Sequence, residues 1–230
     1  MTQPPQRLLS IAIDGPAGAG KSTVARQVAQ ALGYTYVDTG AMYRAVACAV
    51  LDHEVDPADS AAVTALADGL DIRLSPDARV FVNGRDVTEW VRTPAVTNLT
   101  SPLSALPGVR RRLVALQRAM GAAGGVVMEG RDIGTVVLPD AEVKVFLTAS
   151  LEQRVARRQR ELAGRGVTLP REQLQRDIAA RDARDGSRDV APMQPAPDAV
   201  VLDSDRLSVN EVVSRILELH EEARRRVHPE

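Results

Sequence analysis

Eight residues, Gly15-Pro16-Ala17-Gly18-Ala19-Gly20-Lys21-Ser22, constrain this chain more than any other feature. They follow the pattern G-x-x-x-x-G-K-[ST]. The spacing has a physical reason: glycines let backbone N–H groups converge on a phosphate, and the next helix adds the positive end of its dipole. A lysine at position 21 reaches the β- and γ-phosphates, and the Ser22 hydroxyl is a ligand for Mg²⁺. A chance glycine-rich turn would lack the flanks found here. An apolar run, Leu9–Ile13, precedes the loop, and helical periodicity follows from Lys21 to Leu32, with Val24, Val28, Ala31 and Leu32 on one face. The strand–turn–helix order therefore assigns Gly15, Pro16, Ala17, Gly18, Ala19, Gly20, Lys21, Ser22 and Thr23 to a nucleoside triphosphate.

The remaining elements extend this opening into an α/β fold. A short strand at Tyr36–Asp38 leads into a helix through Met42, Val46 and Val50, and Asp56-Pro57 starts another helix that ends near Gly69. Ile72–Leu74 and Val80–Val82 read as short strands, with Asn83-Gly84 as a hairpin turn because both positions tolerate φ > 0. Helical pattern resumes over 96–106 and 109–123. Val126–Met128 and Val143–Leu147 are continuous apolar runs, as expected of strands covered on both faces. An Arg-rich helical region spans Leu151 to about Asp185, broken at Gly164-Arg165-Gly166, and a loop with three prolines follows at 190–197. Val200–Leu202 is a last buried strand and Leu207–Arg226 a last helix. Strands alternating with helices predict a parallel sheet of about five strands.

Composition excludes several classes. With 29 basic against 30 acidic residues, the chain has no bulk charge for holding nucleic acid or a membrane surface. No segment reaches the ~20 apolar residues of a membrane span. The start, Met1–Gln6, is short and polar, and Leu8–Ile13 is too brief for a signal-peptide core. Cys48 is the only cysteine, which fits a reducing compartment, and cytoplasm is expected. Cys48 lies in an Ala-rich helical run and reads as a small buried thiol. His53, His220 and His228 are scattered, without metal-ligand spacing, so Mg²⁺ carried by the nucleotide is the one metal expected.

Chains with this loop divide into switches, motors and small-molecule kinases. The guanine-reading Asn-Lys-x-Asp of a GTPase does not occur, and Val126-Val127-Met128-Glu129 ends in one acid rather than the Asp-Glu pair usual in motors. A small kinase must hold two anionic substrates in line and neutralise charge on the moving phosphoryl group. Arginines should then approach from several loops, with a lid that excludes water. Arg44 and Arg131 follow strands at their C-terminal ends, the edge where open α/β sheets bind ligands. Arg181, Arg184 and Arg188 precede the proline loop. Among Arg154, Arg157, Arg158 and Arg160 a solvated helix face explains most, and Arg157 is assigned to ATP.

Four segments together carry a resemblance. These are Asp14 to Ser22, Asp38-Thr39-Gly40-Ala41-Met42-Tyr43-Arg44, Glu129-Gly130-Arg131-Asp132-Ile133-Gly134-Thr135, and Arg181-Asp182-Ala183-Arg184-Asp185 through Arg188. In this order they resemble the bacterial cytidylate kinases. Pro139-Asp140-Ala141, Val190-Ala191-Pro192 and Val87–Thr93 extend the likeness to nearly the whole chain. The resemblance implies a single three-layer P-loop kinase domain with a small antiparallel insertion. That insertion, at about 65–105, helps bind the monophosphate, and a helical lid lies at about 157–190. It implies ATP and CMP or dCMP as substrates, in pyrimidine nucleotide metabolism, with Mg²⁺ and a monomeric enzyme. By matching position, Thr39, Ser101, Arg110 and Asp132 would face the cytosine or its ribose, Arg44, Arg131 and Arg188 the phosphates, and Arg181 and Asp185 the sugar. Lys21, Arg131 and Arg188 would be catalytic. From the residues alone, Ser101 reads equally as a cap or turn, and Arg110 is one of three consecutive arginines with nothing to choose among them. Glu129 stands where the family often has Asp, and Thr39 where serine is common. UMP or another small acceptor, and a non-catalytic nucleotide-binding regulator, are the alternatives.

Overall fold

The computed structural model describes residues 7–164, 166–188 and 190–228. Met1–Gln6 and Arg165 lie outside the described residues. In chain order the first elements are β1 (Ser10–Asp14), α1 (Lys21–Leu32), β2 (Thr35–Asp38), α2 (Thr39–Asp52) and α3 (Ser60–Gly69). Then come β3 (Ile72–Leu74), β4 (Val80–Val82), β5 (Arg85–Asp86), α4 (Pro94–Leu103) and α5 (Pro107–Gly121). The last are β6 (Val126–Glu129), β7 (Val143–Thr148), α6 (Leu151–Ala163), α7 (Arg171–Gly186), β8 (Val200–Asp203) and α8 (Val209–Val227). The chain divides into two compact units, one formed by the chain up to Tyr36 together with Ala123 onward, the other by Val37–Ala122.

The first unit is built on a five-stranded sheet in the order β2-β6-β1-β7-β8. Its central strand β1 runs parallel to both neighbours, with Ile11 opposite Val127 on one side and Val143 on the other. Every residue of β1 and β6 is buried, so the continuous apolar runs do lie in strands covered on both faces. Val24, Val28, Val212 and Ile216 from α1 and α8 pack on Ile11, Ile13, Val145 and Leu147. α1 stops at Gly33, whose φ of +67° lets its N–H reach back to the carbonyls of Ala29 and Gln30. α8 starts with a capping box, in which Ser208 Oγ accepts from Glu211 N–H and Glu211 accepts from Ser208 N–H. The expected Leu151–Asp185 helical region is two helices, packed through Val155, Leu162, Leu174 and Ile178. Within the described residues, no helix is long and apolar enough to cross a membrane.

The second unit is helical with a three-stranded antiparallel sheet, β3-β4-β5. Asn83 and Gly84 turn the β4–β5 hairpin with φ of +50° and +80°, as expected. Met42, Val46 and Val50 of α2 enter a core with Val63, Ile72, Val80, Leu103 and Leu113. Cys48 is buried in it, and burial pushes its thiol up to about 12, so it is inert as a nucleophile. α3 begins at Ser60, not at Asp56-Pro57. Asp56 accepts from Ala58 N–H and makes a local turn, while Asp59 accepts from Ala61 and Ala62 N–H and caps the helix.

Candidate active site

The loop after β1 is glycine-bound by geometry. Gly15, Gly18 and Gly20 have φ of +141°, +78° and +98°, and a Cβ on Gly15 would come 2.0 Å from the Leu147 carbonyl oxygen. The Lys21 side chain is buried at the start of α1 and its Nζ donates to Pro16 O at 2.8 Å, which holds the ammonium inside the loop's own curve. Ser22 and Thr23 are exposed beside it. Burial, with Arg131 and Arg181 nearby, brings the Lys21 ammonium down to about 7, against the opposing pull of Glu129 and Asp14.

Two arginines of α6 seat the loop from outside. Arg154 donates through Nη1 to Ala17 O at 3.3 Å and to the Asp182 carboxylate of α7, and through Nε to Ala149 O at 3.1 Å. Arg157 donates to Gly18 O at 3.3 Å and Ala19 O at 3.1 Å, and also to the hydroxyl and carbonyl of Ser204. Ser204 Oγ in turn donates to Ala19 O at 3.0 Å. The Arg157 side chain therefore sits at the loop, held by its carbonyls. Sequence reading passed over Arg154, Asp182 and Ser204; nothing in their local pattern separates them from surface polar residues.

Arg131, just after β6, and Arg181 and Arg188, in and just after α7, converge on one carboxylate. Asp185, 2% exposed, accepts from Arg131 Nε at 3.0 Å and from Arg188, with Arg181 Nε at 3.9 Å. Arg131, Arg181, Asp185 and Arg188 are thus brought together, and Arg131 and Arg181 both act electrostatically on Lys21. Glu129, at the end of β6, is buried and accepts from the Tyr36 hydroxyl at 2.5 Å, while the Arg26 guanidinium lies 5.2 Å from the centre of the Tyr36 ring. Asp132 is buried just beyond Arg131. Asp14, the last residue of β1, accepts from Ile133 and Gly134 N–H at 2.8 and 2.7 Å, and burial pushes it up to about 6 in spite of those two bonds. No local signal marks the Asp14 and Tyr36 contacts.

The second unit carries the other expected residues. Thr39, Ser101 and Arg110 are all buried, and Arg44 donates to Asp38, whose carboxylate also caps α2 through Ala41 N–H. The three consecutive arginines differ in burial: Arg110 is 4% exposed, with Arg111 exposed and Arg112 half-buried. Ser101 lies inside α4, not at its cap, and its carbonyl accepts from Ser104 Oγ at 2.8 Å.

Hard oxygen donors at the loop suit Mg²⁺, which keeps waters and phosphate oxygens and takes few protein ligands. The exposed Ser22 hydroxyl and the Glu129 carboxylate are such donors. Among the described residues no cluster of three or more His, Cys, Asp or Glu forms a cage. An ion shared with a nucleotide's phosphates fits that donor set.

A family model described as "Cytidylate kinase" matches residues 11–222. The chain belongs to the cytidylate kinase family. It is 53% identical over 212 residues to the cytidylate kinase of Pelotomaculum thermopropionicum, covering 90% of this chain and 94% of that one. The cytidylate kinase of Geobacillus kaustophilus is 52% identical over 217 residues, with 93% and 97% covered. That of Exiguobacterium sibiricum is 50% identical over 218 residues, with 94% and 98% covered. An uncharacterized protein from Eubacterium ventriosum has a solved structure with a TM-score of 0.51 at 12% identity, covering 93% of this chain and 98% of that one, a likeness of fold alone. The kinase is an ATP-dependent nucleoside monophosphate kinase with the expected five-stranded parallel sheet and small antiparallel sheet.

Proposed function

We propose that this kinase transfers the γ-phosphoryl group of ATP to CMP or dCMP, giving ADP and CDP or dCDP, as a cytoplasmic monomer. The observation that carries the reading is Lys21 in its glycine loop under the electrostatic influence of Arg131 and Arg181, two of the arginines gathered on Asp185. Cations brought near one another are what phosphoryl transfer between two anions requires.

The backbone N–H groups of Gly15–Ser22 hold the β- and γ-phosphates, and Arg157 orders the loop on the ATP side. Ser22 and Glu129 would hold Mg²⁺, which when bound would supply charge neutralisation for the polyphosphate. An oxygen of the CMP phosphate attacks the γ-phosphorus in line, and the bond to the β–γ bridging oxygen breaks, with the electron pair leaving on ADP. The attacking phosphate loses its second proton near pH 6, so no general base is needed at pH 7. Lys21, Arg131 and Arg188 neutralise the moving group, and Arg44 holds the acceptor phosphate. Thr39, Ser101, Arg110 and Asp132 serve the cytosine and its ribose, and Arg181 and Asp185 the sugar. Cytosine presents an N4 amino donor suited to Asp132 and acceptors at N3 and O2 suited to Arg110. A site built on buried hydrogen bonds rejects an analogue lacking the partner by as much as ~10⁴–10⁵. The segments at about 65–105 and 157–190 close over the two substrates.

ADP release from Mg-ATP with CMP, dCMP, UMP, AMP and GMP side by side tests this. Strong turnover with CMP and dCMP, weak turnover with UMP and none with the purines is the expected result. Preference for another acceptor would discard the roles given to Arg110 and Asp132.

The ammonium of Lys21 supplies a second test. Its folded value of about 7 means it is largely deprotonated at pH 8 in the free protein. Bound polyphosphate favours the charged form, so ATP binding takes up protons at this group, more at pH 8 than at pH 6. Affinity for ATP then weakens as pH rises above 7. Calorimetry in buffers of different ionisation enthalpy reads the uptake directly, and Lys21→Arg should abolish it. Equal uptake at both pH values would remove Lys21 from the linkage.

A further inference from the structure

No contact with a phosphate is given to Asp14 above, though its charge acts on Lys21; it is 4% exposed and bonded to the first residue of the glycine loop. Its two oxygens accept from two consecutive backbone N–H groups, Ile133 at 2.8 Å and Gly134 at 2.7 Å, 119 and 120 residues away. These residues open the turn 133–137, an unusual one. Asp132 O accepts from Val136 and Val137 N–H, and Ile133 O accepts from Leu138 N–H at 2.7 Å, so part of the turn closes five residues on rather than four. Widened turns of this kind leave their first N–H groups without partners inside the turn. Asp14 supplies the acceptors for two of them. Arg131 and Asp132 lie immediately before those N–H groups. A carboxylate that takes both is charge-assisted on each bond, and it fixes direction as well as distance. The same strand end thus holds the donor's cradle by a peptide bond and the acceptor's loop by a two-pronged clamp. Asp132 and Lys21 are the charged groups acting on it, and the Lys144 stem from β7 lies against Gly134.

We propose that Asp14 is a positioning residue for the acceptor: its grip on Ile133 and Gly134 sets Arg131 and Asp132 for the nucleoside monophosphate while leaving the ATP loop's own shape intact. The proposal rests on the acceptor reading given above. Asp14→Asn keeps the size but presents an NH₂ to one of the two N–H groups, so one bond becomes a donor–donor clash. Steady-state kinetics with each substrate varied should show KM for CMP raised about tenfold and KM for ATP changed less than about twofold. Amide exchange at Ile133 and Gly134 should become faster. Should Asp14→Asn fail to fold, Gly134→Ala makes the same test. A Cβ there would meet Lys144 Cδ at 3.3 Å and Asp14 Oδ2 at 3.4 Å, enough to move the turn by a few tenths of an ångström. The same split, about threefold, is expected. Equal changes in both KM values, or none, would overturn the proposal. A wild-type protein without CMP turnover would instead remove the acceptor reading, and the proposal with it, before any variant is compared.

Discussion

Lys21→Ala lowers turnover by ~10²–10³-fold without lowering the melting temperature of the nucleotide-free protein. The rate loss follows from removing a preorganised cation beside the transferred phosphoryl group, worth about 2.7–4 kcal/mol when a comparable donor is deleted. Stability moves differently. The folded ammonium sits at about 7 because burial and the neighbouring Arg131 penalise its charge. For a basic group lowered this way, the folded state carries its full cost below pH 7, and that cost is relieved progressively as pH rises from about 7 towards the ordinary lysine value of 10.5. Deleting the side chain removes that cost, against the loss of one hydrogen bond to Pro16 O, worth about 1 kcal/mol. Turnover of CMP and a thermal melt at pH 6.5 check both halves. A variant that loses rate and stability together would show that Lys21 holds the loop's shape rather than the phosphate. Lys21 and Lys144 are the chain's only lysines, so a lysine-labelled sample has two side-chain signals, and the Lys21 signal should titrate near pH 7 and move upward with ATP.

Much of the first unit's frame was legible in the sequence because local rules decide it. The β1–loop–α1 segment combines a buried apolar run, glycines needed at φ > 0 and a helix ended by Gly33, all within 24 residues of one another. The hairpin at Asn83-Gly84 is a second case, where turn chemistry alone sets the geometry. Local rules failed where two residues compete for one role. Asp56 and Asp59 are both capping types, and only the backbone path makes one a turn residue and the other a cap. They also failed where the partner is distant in sequence. Nothing near Asp14 announces Ile133, and nothing near Tyr36 announces Glu129. The residues alone could not separate Arg110 from its two arginine neighbours, because the different burial of the three comes from α5 turning each to a different side. Arg131, Arg181 and Arg188 were legible as candidate phosphate arginines from their places in the chain; their convergence on one carboxylate is a property of the fold.

That convergence makes Asp185→Ala strongly destabilising. Asp185 lies in the last turn of α7, where the helix dipole disfavours a carboxylate, and it is 2% exposed. Neither fact favours a carboxylate there by itself. What favours a carboxylate there is the grip of Arg131 and Arg188, whose side chains are 18% and 8% exposed. Removing the acid takes the shared carboxylate from the Arg131 and Arg188 guanidinium groups, with Arg181 beside them. Breaking a buried pair in this way costs about 3–5 kcal/mol, a fall in melting temperature on the order of 10 °C for a chain of this size. Turnover should fall ~10²-fold as Arg131 and Arg188 lose their orientation. Asp185→Asn, which keeps one acceptor and loses the charge, should lie between. The sign of nucleotide stabilisation separates this account from simple loss of packing. A phosphate brought to the site restores negative charge to the arginines, so saturating ATP should raise the melting temperature of Asp185→Ala more than that of the wild type. Equal shifts would mean that water already solvates the guanidinium groups and that the carboxylate's part is confined to the substrate's sugar.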